Sequence, residues 1–108
     1  MIARIFRAWT MPRHADEFER LLRHEVIPNL RERGLAGVHG IELLRREDTS
    51  EVEFVTMVWF DSLDAVRAFA GDDYQVAMVP PLARTLLRRC DVRALHYVAL
   101  ERRPPVYL

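Results

Sequence analysis

A chain of 108 residues and 12.7 kDa is one ordinary domain with no room for a second. Half of its residues are hydrophobic and sixteen basic residues balance sixteen acidic ones, which excludes a basic nucleic-acid footprint and gives no pull toward an anionic membrane surface. Every basic residue is arginine, so Schiff-base chemistry and a lysine-anchored pyridoxal phosphate are excluded too. The single Cys90 rules out an intramolecular disulfide and a cysteine-built zinc or iron–sulfur site. No apolar run approaches the ~20 residues that cross a bilayer. The opening Met1-Ile2-Ala3-Arg4-Ile5 lacks the apolar region of a signal peptide. The expected location is a reducing cytoplasm.

Ile2 to Thr10 carries β-branched and aromatic residues and is stopped by Pro12, so it reads as a strand. Asp16, Glu17 and Glu19 suit a helix start, and Phe18, Leu21, Leu22, Val26 and Leu30 then recur at helical spacing. Pro28 should kink or end that helix, and Gly34 should stop it. Val38 to Arg46 and Glu51 to Phe60 are strands joined by the polar turn Glu47-Asp48-Thr49-Ser50, an antiparallel hairpin. Asp61 or Ser62 caps a second helix with Leu63, Val66, Phe69 and Ala70 on its apolar face, ended by Gly71. A broken helical stretch follows, with Tyr74, Ala77 and Met78, then Pro80-Pro81, then Leu82 to Leu87. Cys90 reads as a small residue at a helix end. Ala94 to Glu101 is the last strand, and residues 102–108 form a tail expected to pack on its own domain or on a partner.

The order β-α-β-β-α-β predicts an α+β, ferredoxin-like domain over residues 1–101: a four-stranded antiparallel sheet with two helices on one face. The 51–60 strand is apolar on both parities. Val52, Phe54, Val58 and Phe60 lie on one side, and Val55, Met57 and Trp59 on the other. A sheet with one wet face alternates apolar and polar residues. Two helices cover one face only, so the other needs a partner, and the expectation is a homodimer.

The run from Phe54 to Phe69 (FVTMVWFDSLDAVRAF) resembles the central strand-to-helix segment of the antibiotic biosynthesis monooxygenase domain family. The strands Ile2 to Thr10 and Leu95-His96-Tyr97 fit it as well. The resemblance implies a dimeric α+β barrel and a cofactor-independent monooxygenase, acting with O₂ on a small electron-rich phenol, hydroquinone or polyketide-like aromatic. It also implies that Trp59 borders a pocket between helices and sheet. Haem-degrading relatives carry a histidine after this strand, and Tyr74-Gln75-Val76-Ala77-Met78-Val79 holds none. Their first-strand asparagine is absent too, where this chain has Arg4, Phe6 and Arg7. The tyrosine and asparagine of polyketide-oxidising members are also missing. The expectation is no haem, no flavin and no metal.

His39 and His96 are the two histidines placed on the sheet, and each is a candidate general base near neutral pH. His14 and His24 read as solvated helix residues. The four histidines lack metal-ligand spacing. Arg4 and Arg7 stand on a central strand, where an arginine needs a carboxylate, for which Glu42 and Glu53 are candidates. Arg7 is the candidate charge for a phenolate. Trp59, Tyr74 and Met78 are the candidate substrate-binding residues. The alternative reading is a non-catalytic dimer of the same fold that binds a small apolar metabolite or plays an accessory role.

Overall fold

Strand β1 (Ile2–Thr10) runs through the middle of the sheet, antiparallel to β3 (Val52–Phe60) on one side and to β4 (Leu87–Cys90) and β5 (Leu95–Val98) on the other. β2 (Val38–Glu47) lies outside β3, giving the order β2-β3-β1-β4 with β5 continuing the β4 edge. The computed structural model describes residues 1–77 and 79–103, so Met78 and most of the predicted tail lie outside the described residues. The architecture is the expected ferredoxin-like α+β arrangement, with the 52–60 strand inside the sheet.

The first helix begins at Pro12, ahead of the acidic cluster. Pro12 occupies the first turn, where a missing N–H costs nothing. Helix α1 (Pro12–Leu21) passes through a π-helical turn, Leu22–Val26, into α2 (Ile27–Glu32). Pro28 has no N–H, and its ring would meet the carbonyl of His24 in a regular helix. The wider turn lets that carbonyl move aside, so the chain passes the proline without ending there. Ser62 caps α3 (Leu63–Ala70), its Oγ accepting from the Ala65 N–H at 3.2 Å. Helix α4 (Pro81–Leu86) follows the double proline.

The fourth strand departs from expectation. It is split, and its first half includes Cys90, which lies on a strand opposite Ala8 rather than at a helix end. Asp91 causes the break. Its carboxylate accepts from the Arg7 backbone N–H at 3.2 Å and from the Arg7 guanidinium at 2.9 and 3.2 Å. The chain then turns to bond Gln75, with the Ala94 N–H 2.9 Å from its carbonyl, before rejoining β1 at Leu95.

Register fixes the two faces of the sheet. Ile2, Arg4, Phe6 and Ala8 of β1 face the helices together with Phe54, Thr56, Val58 and Phe60 of β3. Phe54 packs edge-on against Phe18 of α1 at 5.0 Å, and Phe60 lies 5.4 Å from Phe69 of α3. The opposite face carries Ile5, Val55, Met57 and Trp59, together with Leu44, Leu95 and Tyr97, which are 50%, 39% and 53% exposed.

Candidate functional site

Two adjoining hollows lie between the helices and the sheet. The inner one, about 190 Å³, is walled by apolar side chains including Phe6, Phe18, Leu22 and Val58, with Arg4, Arg33 and Thr56 supplying polarity. The outer one, about 480 Å³, opens between α2 and β2 and contains Arg31 and His39. Leu30, Val58 and Phe69 belong to both walls, so the two hollows adjoin at these side chains.

Arg4 enters the inner cavity because even-numbered β1 residues face the helices. It is buried, 7% exposed, and its guanidinium lies 5.6 Å from the Phe69 ring centre. Nη1 donates to the Tyr74 carbonyl and, over 2.9 Å, to Nε2 of His96. No carboxylate pairs with Arg4 among the described residues; the sequence suggested Glu42 or Glu53, yet both point to the other face. Burial pulls the Arg4 pKa down from its ordinary value, but arginine remains cationic. Arg33 also approaches this ring, 5.0 Å from its centre, and donates to the Phe69 carbonyl at 3.0 Å.

His39 stands in the outer groove, held by Asp61. Its Nε2 bonds Asp61 Oδ1. A carboxylate accepts only, so the proton of the neutral imidazole sits on Nε2, and the Nδ1 lone pair is left to take a proton. Asp61 is free for this task because Ser62 provides the helix cap. From the sequence Asp61 reads only as an alternative helix cap, and its pairing with His39 is a product of the fold. That Ser62 follows as a second good capping residue is the signal that freed it.

The remaining candidates are dispersed. His96 lies beside Arg4 on the helix-facing side of β5, its ring 5.2 Å from that of Tyr74, in a separate recess. Its pKa is lowered, first by burial and then by the Arg4 charge. Tyr74 holds Arg4 through its carbonyl, and its ring is outside the inner cavity. Arg7 points to the open face and is engaged by Asp91. Trp59 departs most from expectation. It lies on the open face, its Nε1 donating to Glu42 at 3.4 Å and the Arg102 guanidinium 4.1 Å above its ring, and it lines neither hollow. The helix-facing aromatic at this strand end is its neighbour Phe60. Met78 is outside the described residues.

A cavity of about 150 Å³ holds benzene, so the inner hollow suits one aromatic ring. A porphyrin, with four pyrrole rings in one plane, exceeds it several-fold, and no histidine lines it. No cluster of three metal-ligating side chains occurs among the described residues, and no helix there is long and apolar enough to cross a membrane.

Neither a protein-family model nor a curated protein sequence matches the chain. Solved structures do. A protein from Bacillus cereus described as a candidate antibiotic biosynthesis monooxygenase matches with a TM-score of 0.61 and 13% identity, covering 99% of this chain and 97% of that one. A single-substitution variant of MhuD, with two manganese protoporphyrin IX molecules per active site, matches with a TM-score of 0.67 and 18% identity over 97% of this chain and 100% of that one. Rv0793 from Mycobacterium tuberculosis gives 0.57 and 20%, over 94% and 96% of the two chains. At these identities the likeness establishes the fold, which is that of the antibiotic biosynthesis monooxygenase-type proteins.

Proposed function

We propose that a chain with this monooxygenase-type fold is a cofactor-independent monooxygenase of a small electron-rich aromatic, a phenol or hydroquinone, bound across the two hollows. One observation carries the reading: a histidine oriented by a carboxylate lines a groove that shares a wall with a one-ring apolar cavity. Nδ1 of His39 takes the proton of the phenolic oxygen, and Asp61 stabilises the imidazolium. The phenolate is electron-rich enough to reduce O₂ without a helper. The balance closes: the substrate loses two hydrogens, one from the phenolic oxygen and one from the ring carbon that gains an oxygen atom, and the second oxygen atom of O₂ leaves as water. The apolar wall keeps bulk water from the reacting ring. In this reading His39 is the base, Arg7 and Trp59 take no part because they lie on the open face, and His96 acts only through Arg4.

A second copy of the chain covers the open face in this reading. Ile5, Val55, Met57, Trp59, Leu95 and Tyr97 form a broad apolar patch, more than solitary exposed residues make. The patch also carries both signs of charge, with Glu42 and Glu53 on β2 and β3 and Arg7 and Arg89 across the sheet. A two-fold axis over it can bring acid to base, as self-complementary interfaces require.

The test is oxygen uptake with a panel of hydroquinones and anthrones, comparing wild type with His39→Ala and Asp61→Asn. Uptake reduced about 10²-fold or more by His39→Ala is expected for a lost general base. Stoichiometric binding with no uptake from any panel member instead establishes the accessory, non-catalytic reading. That reading draws on the inner cavity, whose lining residues include no histidine or carboxylate.

A further inference from the structure

We infer that the inner cavity contains an anion subsite on Arg4, and that its ligand is an aromatic acid seated with the carboxylate against that guanidinium. The inference rests on the proposed site and names its substrate class.

The first argument is charge. Other strongly engaged arginines meet carboxylates: Arg7 pairs with Asp91, Arg89 with Glu51, and Arg45 with Asp16, Glu19 and Glu47. Arg4 is more deeply buried than any of these and meets none among the described residues. Burying an uncompensated charge is strongly unfavourable, and sixteen acidic residues were available to offset it. His96 does not supply the missing charge, because a nitrogen accepting from arginine belongs to a neutral ring.

The second argument is donor geometry. A guanidinium has five N–H donors. Tyr74 and His96 both bond Nη1, while Nη2 and Nε have no partner among the described residues. That edge is the planar fork that grips a carboxylate through two parallel bonds. Tyr74 and His96 thus fix one side of the group and leave the other presented, as a preorganised site requires.

The third argument is surroundings. Apart from Arg4, Arg33 and Thr56 the wall is apolar, and Phe69 lies within 5.6 Å of both guanidinium groups. A ligand with a carboxylate on Arg4, a ring against Phe69 and a hydroxyl toward His39 satisfies each of these features. A neutral phenol leaves the Arg4 fork empty.

The experiment is titration calorimetry on the wild-type protein with 2,5-dihydroxyphenylacetate and its primary amide, which share a ring and differ in charge. The acid is expected to bind about tenfold or more tightly, as a charge-assisted pair in an apolar cavity should. Arg4→Met removes the preference, and Arg4→Lys, which keeps the charge without the fork, restores only part of it. Equal affinity of wild type for acid and amide overturns the subsite, and this arm needs no variant to fold. A preference that survives in folded Arg4→Met overturns it as well. Oxygen uptake without acid preference removes the subsite and leaves the oxidation reading. Acid preference without uptake keeps the subsite and removes that reading.

Discussion

Arg4 and His96 face each other across β1 and β5, Nη1 donating to Nε2 over 2.9 Å, which fixes the histidine as its Nδ1-protonated tautomer. Burial first, and the Arg4 charge second, hold the His96 pKa below its ordinary value. The unfolded chain therefore binds a proton at this position more readily than the folded one. Stability is fully present above the unfolded histidine value of ~6.5 and is lost as pH falls from there through the lower folded value. Urea midpoints measured from pH 7 to pH 5 should fall more steeply in wild type than in His96→Gln. Equal slopes would remove His96 as a contributor.

The core makes a second prediction. Phe54 is 1% exposed and packs edge-on against Phe18. Phe54→Ala should cost about 3–5 kcal/mol, from lost burial and the cavity left behind. Denaturant unfolding measures this directly, and a loss below about 2 kcal/mol would show that the helix and strand close over the gap.

Two glycines separate backbone strain from crowding. Gly37 and Gly71 have φ of 87° and 85°, but a Cβ at Gly37 would lie 2.8 Å from the Ala65 Cβ, while one at Gly71 meets nothing within 4 Å. Gly71→Ala should cost only the backbone term, about 1–3 kcal/mol. Gly37→Ala should cost roughly 1 kcal/mol or more beyond that. It should also lower oxygen uptake, since the Gly37 carbonyl accepts from the backbone N–H of Asp61, which orients His39. Equal destabilisation by the two substitutions would refute the crowding argument.

The open sheet face predicts a homodimer burying well over ~1,000 Å² in total, the level of a biological interface. Light scattering at micromolar concentration should give twice the 12.7 kDa chain mass. Val55→Arg, which places a charge mid-strand between Arg7 and Leu44, should give a monomer. A monomeric wild type would return the patch to solvent.

The element order, the three long strands and α3 were legible because their signals are local. Val52 to Phe60 is apolar on both parities, and Ser62, Leu63 and Gly71 punctuate the helix that follows. The split of the fourth strand was not legible, since it depends on Asp91 reaching the backbone of Arg7, distant in sequence. The π-helical turn was only half legible: Pro28 announced a disturbance but not the wider turn that absorbs it.

The sequence by itself determined that this is a ferredoxin-like domain, that His39 and His96 are the histidines on its sheet and that Arg4 and Arg7 stand on its first strand. Tertiary structure alone decided which of them meet. Side chains alternate across a strand, so a shift of one residue exchanges the two faces. Trp59 therefore points away from the cavity while Phe60 points toward the helices, and Arg7 meets Asp91 while Arg4 is buried without a carboxylate. Composition cannot anticipate that last contrast. Whether an arginine finds an acid depends on which distant segment folds against it, and against Arg4 the chain brings a carbonyl and an imidazole.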